Sequence, residues 1–414
     1  MSVIIIGGGA AGLMAIATLL EQKPNTSVTL IERNDELGKK IIISGGGRCN
    51  VTTGLLDVKI VLSKYPRGGK FLSSAMHKFP PGAVMEWFEN HGVPVKIQPD
   101  LRVFPKSDNG HDVVKAFTNI FKKNHANIML KEQVIKVETK DKGFAVYLKG
   151  QATPLLAKKL VLTTGGQAYR HTGSTGDGYA FALSLGHSLT PLAPSLNALY
   201  TKETWPANVS GLAFAHAKLS AKTQGNPNFT GPFIFTHRGV SGPAIFALSS
   251  LVAFENYDLT KPLHINIDLF PDQSIENLNR SLVENILTNA KKSLENILAF
   301  LIPKSLAEVL CSELKLQPDK HAAEISKKEL AVAVAWLKSV PLQAVAKGTG
   351  EEFVTAGGVK LSEVNSSTME SRLCPGLYFA GEILNIDGFT GGFNLQSAWT
   401  TGHLAGEHIA HTSS

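Results

Sequence analysis

Val3-Ile4-Ile5-Ile6-Gly7-Gly8-Gly9-Ala10-Ala11-Gly12, an apolar helical stretch, and then Ser27-Val28-Thr29-Leu30-Ile31-Glu32 together decide the fold of this chain. A short apolar strand that runs into glycines, a helix, and a second strand make a βαβ unit whose first turn grips a dinucleotide. Gly7 permits the tight turn off the strand, Gly9 lets backbone N–H groups approach a pyrophosphate, and Gly12 lets the helix lie close to the strand. The helix opening at Ala10 and Ala11 points its unsatisfied N–H groups and positive dipole end at the phosphates. Glu32, twenty residues after Gly12, stands where a carboxylate accepts both hydroxyls of an adenosine ribose and repels a 2′-phosphate. Arg33, next in the chain, joins the cofactor-binding candidates.

The 414 residues suffice for two or three domains, and 43% apolar with 18% charged residues is an ordinary globular composition. Three scattered cysteines (Cys49, Cys311, Cys374) exclude a disulfide framework and a four-ligand zinc site. No apolar run is long enough to span a bilayer, and the first strand begins at residue 3, so a cytoplasmic protein without a leader is expected. Forty-one basic against thirty-four acidic side chains give a net charge of +7. Much of the excess sits in dispersed pairs such as Lys122-Lys123 and Lys291-Lys292, which reads as solvated surface; a small-molecule substrate is expected over a nucleic-acid partner, for which the +7 charge is the sole support. Oligomeric state is not encoded in any of these features.

Beyond the opening unit lies a glycine-rich loop, Ser44-Gly45-Gly46-Gly47-Arg48-Cys49-Asn50. Residues 112–126 have the period of an amphipathic helix, with Val113, Val114, Phe117, Ile120 and Phe121 on one face. Strands are expected at 133–137, 144–148 and 160–162, the last ending at Thr163-Thr164-Gly165-Gly166. From 213–222 and 263–269 the alternation is that of antiparallel strands with one wet face. Residues 274–338 read as helical: Ile275, Leu278, Leu282 and Ile286 share a face, and Ser305-x-x-Glu308 and Ser326-x-x-Glu329 are expected capping boxes. The α/β character returns near 357 and closes in a helix over 393–410. The expected architecture is a Rossmann-type, doubly wound α/β domain (1–190 and 357–414) interrupted by an insertion (191–356). That insertion is β-rich over 191–271 and 339–356, with a helical subdomain over 272–338.

A second cofactor loop near the far end selects the dinucleotide. Ala380-Gly381-Glu382 ends a strand, and Asp387, a further cofactor-binding candidate, precedes Gly391-Gly392-Phe393-Asn394 at the head of the closing helix. This block resembles the carboxy-terminal FAD signature of glutathione-reductase-type flavoproteins, in which the acid binds the ribityl or pyrophosphate region and the helix points at the flavin pyrimidine. Residues 38–50, 172–179, 235–244, 355–359 and the terminal block, in that order, are similar to one family, the BaiN-like or aminoacetone-oxidase family of FAD-binding flavoproteins. The resemblance implies FAD held by Gly7, Gly9, Gly12, Glu32, Ser44 through Asn50, Gly165, Gly166, Gly381, Glu382 and Gly392 through Asn394. It also implies that the backbone of Val134 meets the adenine. The chain departs from the family pattern at Arg170, where proline is expected, and at Phe389, where a more polar residue is expected.

Disulfide reductases of this superfamily carry a second cysteine five residues on, but here that position is Gly54, so a dithiol relay is excluded. Cys49 then reads as small packing or as a lone thiol beside the flavin. Arg48 and the Lys39-Lys40 pair are candidates for phosphates or the flavin edge, and Asn50 and Asn394 offer neutral amides for its rim. Asp177 is expected to cap a helix. His237 and Arg238 are candidates to clamp a substrate carbonyl or carboxylate, in a crevice expected between the FAD domain and the insertion. No second Gly-x-Gly-x-x-Gly follows a strand, and Gly348-Thr349-Gly350 is expected to lack the flanking elements, so either NAD(P)H visits as a transient electron donor or electrons pass between a small substrate and oxygen or another acceptor. The expected activity is that of an FAD-dependent oxidoreductase exchanging hydride at flavin N5 with a small organic substrate, by reduction of an activated C=C bond or oxidation of an amine. The alternative is an RNA-associated flavoprotein of the tRNA-modification type.

Overall fold

The computed structural model describes residues 2–141, 143–348 and 352–412. Two compact units emerge, one of Met1–Ser195 with Glu352–Ser414 and the other of Leu196–Glu351.

The first unit is organised by a five-stranded sheet in the order Leu377–Phe379, Lys159–Leu162, Ser2–Ile6, Ser27–Glu32, Asn127–Leu130. Every pairing in it is parallel. Strands near the two ends of the sequence are therefore separated by a single strand. The central strands are apolar on both faces, and Ile5, Leu30, Val161 and Phe379 are buried. The opening helix Ala10–Gln22 lies against the closing helix Phe393–His411 through small residues. A Cβ on Gly402 would lie 2.4 Å from Ala11 O, and one on Gly406 would lie 2.4 Å from Ala15 O. This glycine pair, four residues apart, lets the two backbones meet and fixes the two helix N-termini within one body. Trp399 anchors the crossing: it is buried, donates to Val51 O at 2.9 Å, and stacks on Phe117.

Two three-stranded antiparallel sheets and one two-stranded ladder join this unit among the described residues; the first sheet is Thr52–Thr53, Arg102–Pro105 and Val95–Ile97, the second Val134–Lys140, Gly143–Leu148 and Leu155–Ala157. Strands expected at 133–137 and 144–148 are thus a hairpin outside the main sheet. The parallel edge is Asn127–Leu130, whose four residues were too few to show a period.

The second unit is a closed antiparallel barrel of six strands: Leu199–Thr201, Gly239–Ser241, Asn228–Thr236, Ala213–Ala221, Leu263–Asp268 and Val340–Lys347. Alternation supplies its interior, with Ala217, Leu219, Phe233, Phe235, Ile265, Ile267, Leu342 and Ala344 buried. Helices Ile275–Thr288, Leu294–Leu298, Lys304–Glu313 and Lys327–Lys338 lie in the same unit, with a further helix, Pro243–Leu251, opened by Pro243.

Several expectations are corrected. The ladder of Ala193–Ser195 with Val354–Ala356, placed by the sequence in the insertion, belongs to the first unit. Ser305 does not cap: Pro303 presets the backbone so that the helix starts at Lys304, leaving Ser305 inside the first turn. Ser326 and Glu329 do form a capping box. Ile275 is exposed, since residues 272–277 all face solvent and burial begins only at Leu278. Asp177 is not a cap either, because Gly176 takes the N-cap at φ 88. Gly348 does follow a strand, Val340–Lys347, whereas Thr349 and Gly350 lie outside the described residues. Among the described residues no helix is long and apolar enough to cross a membrane.

Candidate active site

The amino-terminal turn is built from backbone contacts that leave one side open. Gly7 adopts φ 109, and a Cβ there would lie 2.5 Å from Thr163 O. A Cβ on Gly12 would lie 2.1 Å from Gly7 O, so the helix approaches the strand only because that atom is missing. Thr163 Oγ1 donates to Gly7 O at 2.8 Å and holds the turn to the neighbouring strand. Gly9 differs: it is extended, caps the helix without a side-chain bond, and a Cβ there would meet nothing within 4 Å. The first turn of Ala10-Ala11-Gly12 holds no acidic residue, so its N–H groups and dipole act unopposed on that open side.

Glu32, 8% exposed, ends the second strand beside this turn. Its Oε2 accepts the Gly8 N–H at 2.7 Å and its Oε1 the Asn34 N–H at 2.9 Å, which orients the carboxylate while leaving acceptor capacity on both oxygens. Arg33 donates to Thr175 Oγ1 at 2.6 Å and to Asp177 at 2.9 Å, which is the role that Asp177 actually plays. Thr164, Gly165 and Gly166 follow the strand next to the turn. The buried Thr164 Oγ1 has no hydrogen-bond partner, and neither does the buried Tyr179 hydroxyl. Val134 is buried at the start of its strand, in register with Leu148.

In the second glycine loop, Ser44 Oγ donates to Ile41 O, and Gly45, Gly46 and Gly47 all take positive φ. Cβ atoms on Gly46 or Gly47 would meet nothing. Arg48 lies over Phe104 at 4.0 Å, with Asp108 3.7 Å away. Asn50 Oδ1 accepts the Val103 N–H, so its amide is partly committed to this scaffold. Cys49 is wholly buried, and burial pushes its thiol up to about 12, against a smaller opposing pull from Ser44. A thiol so held is protonated at neutral pH and packs as a small apolar group.

The carboxy-terminal block lies in the same unit. Gly381 takes φ 79 where a Cβ would crowd Ala11, and Gly392 caps the closing helix at φ 92 with Thr52 O 2.3 Å from where its Cβ would be. Glu382 accepts Lys40 Nζ at 2.7 Å and the Thr355 N–H at 2.8 Å; Lys39 pairs instead with Asp35. Two side-chain expectations are corrected. Asp387 is buried in an ion pair with Arg67 and accepts Ser195 Oγ, so its carboxylate serves the scaffold. The Asn394 amide bonds Gly388 N–H at 2.9 Å and Gly388 O at 2.8 Å, which closes its own loop and leaves the backbone of Phe393 and Asn394 as the donors at the helix end. His237 and Arg238 lie in the second unit, exposed on a hairpin where Arg238 covers the Tyr200 ring at 3.8 Å.

Tyr65, Arg67, Thr355 and Gln396 escaped the sequence reading. Gln396 is buried, bonded to Thr52 at 2.5 Å and to Phe79 O at 3.1 Å. Their partners lie far away in sequence, and the one available signal was the i, i+4 spacing of Gln396 and Thr400, which bond each other and Phe79 O.

FAD fits these residues. Gly9 keeps open the space that a Cβ would fill at a helix end without a side-chain cap, and Glu32 retains acceptor capacity on both oxygens. Comparisons agree. The model of the HI0933-like protein Rossmann domain matches residues 1–408. A 3-dehydro-bile acid delta(4,6)-reductase of Clostridium scindens is 30% identical over 409 residues, covering 98% of each chain. A ribosomal RNA dihydrouridine synthase of Haemophilus influenzae is 31% identical over 413 residues, again 98% of each. Among solved structures, a 3-ketosteroid delta1-dehydrogenase of Sterolibacterium denitrificans is similar in fold, with TM-score 0.50, 14% identity and 99% coverage of both chains. The chain belongs to the HI0933-like, BaiN-like family of flavoproteins and is an FAD-dependent oxidoreductase.

Proposed function

We propose that this protein reduces a carbon–carbon double bond conjugated to a carbonyl in a small organic substrate, with NAD(P)H as a transient electron donor. The observation that carries the reading is the near-complete match to a relative named for reducing a bile-acid alkene that carries a 3-oxo group. When bound, the flavin supplies a hydride at N5 and accumulates negative charge near N1 and C2=O on reduction. In this reading Gly9 and the helix at Ala10 admit the pyrophosphate, Glu32 accepts the adenosine ribose hydroxyls, and Val134 meets the adenine through its backbone. Glu382, tethered by Lys40 and Thr355, takes the ribityl region, with Thr164, Gly165, Gly166 and the 44–50 loop completing the grip. The N–H groups of Phe393 and Asn394, at a positive helix end, stabilise charge on the ring and raise its potential. With the Cys49 thiol buried and position 54 a glycine, hydride passes without a dithiol relay.

The test is anaerobic. NAD(P)H should bleach the flavin absorbance, and a 3-oxo-4,6-diene should restore it while its saturated analogue does not. Bleaching of the oxidised protein by amines, with no response to the diene, would overturn the reading in favour of amine oxidation. A second reading, uridine in RNA as the substrate, is favoured by the name of the Haemophilus relative and by the net charge of +7. Dihydrouridine also arises by saturating a ring bond conjugated to a carbonyl. Reoxidation by uridine-containing RNA, with affinity falling steeply with salt, would select it.

A further inference from the structure

The loop that runs from Asn385 into the closing helix is closed on itself by Asn394 and Gly388, and is held from outside as well. Its ladder partner is a distant segment, residues 64–68. Lys64 O accepts the Phe389 N–H at 2.9 Å, and Arg67 bridges to Asp387 as an isolated antiparallel pair. The Arg67 guanidinium meets the Asp387 carboxylate with both Nε and an Nη, and that carboxylate is fully buried. A Cβ on Gly68 would lie 2.6 Å from Ile386, so backbone and side chain touch there as well. Tyr65 reaches furthest. Its hydroxyl donates to Phe393 O at 2.7 Å, its ring meets the Phe393 ring edge-on with centroids 6.1 Å apart, and a Cβ on Gly388 would lie 3.1 Å from it. Burial pushes the Tyr65 hydroxyl well above its ordinary range, so it stays a donor at any working pH.

We propose that residues 64–68 are a clamp that sets the aim of the Phe393 and Asn394 N–H groups at the flavin ring, with Tyr65 and Arg67 as positioning residues. This rests on the reading that the ring lies at the closing-helix N-terminus. The physical reason for a clamp is that hydrogen-bond donors tune a ring's potential only if their direction is fixed before charge develops. A loop with glycines at 388, 391 and 392 is too free to fix it alone. A buried bidentate ion pair and a tyrosine bond at each end of the loop remove that freedom. Breaking either should reorient the donors without touching the pyrophosphate turn.

The test uses the purified holoprotein and reads three quantities: FAD affinity, flavin reduction potential and thermal stability of the apoprotein. Tyr65→Phe keeps the ring and loses one bond. It should disfavour the reduced over the oxidised cofactor about tenfold, a fall of about 30 mV for a two-electron couple, with little change in apoprotein stability. Arg67→Lys should shift the potential less than Arg67→Gln, which leaves the buried Asp387 without its bidentate partner. If Arg67→Gln fails to fold, Tyr65→Phe and Arg67→Lys decide. The control for ring placement is Asn394→Asp read against Asn394→Leu: both lose the bond from Asn394 Nδ2 to Gly388 O, so a lower potential in the aspartate variant than in the leucine variant reports the added charge at the helix end whatever the clamp does. A shift with Asn394→Asp and with the clamp variants supports the proposal. A shift with Asn394→Asp alone overturns the clamp, and no shift with any variant overturns the ring placement and the clamp with it.

Discussion

At the amino-terminal turn the glycines divide by purpose, whereas in the carboxy-terminal loop each is pinned by packing. Gly7 and Gly12 are required by close backbone approach, yet Gly9 faces space in which a Cβ meets nothing. In the other loop, Cβ atoms on Gly388, Gly391 and Gly392 would lie 2.7, 2.9 and 2.3 Å from Phe393 or Thr52. The first turn is a rigid frame with one face left for a ligand. The second is a flexible run made rigid by partners more than three hundred residues away in sequence. Affinity for the dinucleotide should therefore reside mainly in the first, and tuning of the ring in the second.

The largest expected effect breaks the frame. Gly12→Ala places a methyl against Gly7 O and should cost about 3 kcal/mol of stability or abolish folding, read as the urea midpoint of the apoprotein. An unchanged midpoint would mean that the helix does not approach the strand as described. Gly9→Glu sharpens the contrast. The apoprotein should keep its stability within about 0.5 kcal/mol, while FAD affinity falls by at least a hundredfold, about 2.7 kcal/mol. Equilibrium titration of apoprotein with FAD checks this, and full cofactor retention would misplace the pyrophosphate.

Cys49→Ser should have a modest effect. A hydroxyl in that buried site costs about 1 kcal/mol of stability, and flavin-linked turnover stays within about threefold, below about 1 kcal/mol in the barrier. A thousandfold loss, about 4 kcal/mol, would make the thiol part of the chemistry. The smallest effect lies away from both turns. Lys320, and secondarily Ser326, hold the Glu329 carboxyl down to about 2, below its ordinary 4.5. A depressed acid stabilises the folded state above its unfolded value, and that contribution is lost as pH falls from 4.5 through about 2. Glu329→Gln should flatten this part of the acid limb of the second unit's urea midpoint without altering FAD binding. An acid limb identical to that of the parent protein would remove Glu329 from the account.

The same contrast explains what was legible in the sequence. The first turn is local: Val3 to Glu32 spell strand, glycines, helix, strand and acid within one βαβ unit, and each packing duty of Gly7 and Gly12 follows from that spacing. The closing helix and Gly391-Gly392 at its head were legible for the same reason, whereas the contacts of Gly402 and Gly406 were not. Asp387 and Asn394 were recognised as polar residues beside a glycine turn, but their partners are Arg67 and a neighbouring loop backbone. No spacing rule connects residue 67 to residue 387, and so an ion pair inside the scaffold was read as a ligand. Likewise Arg33 and Asp177 were seen separately, since only the folded chain brings a strand end to a helix start 144 residues away. Boundaries failed where a short element had no period to show, as at Asn127–Leu130, or where proline moved a helix start, as at Pro303.

The central claim is that one FAD is gripped by the amino-terminal turn and tuned by the carboxy-terminal loop. FAD affinity and flavin reduction potential, measured together for Gly9→Ala and Asn394→Asp, test it most directly. The account predicts that Gly9→Ala weakens FAD binding at least tenfold, about 1.4 kcal/mol, while moving the potential by less than ~10 mV. It predicts that Asn394→Asp lowers the potential by about 30 mV or more relative to Asn394→Leu, which loses the same bond to Gly388 O without adding charge. A potential that follows the Gly9 substitution and ignores the charge at residue 394 would contradict it.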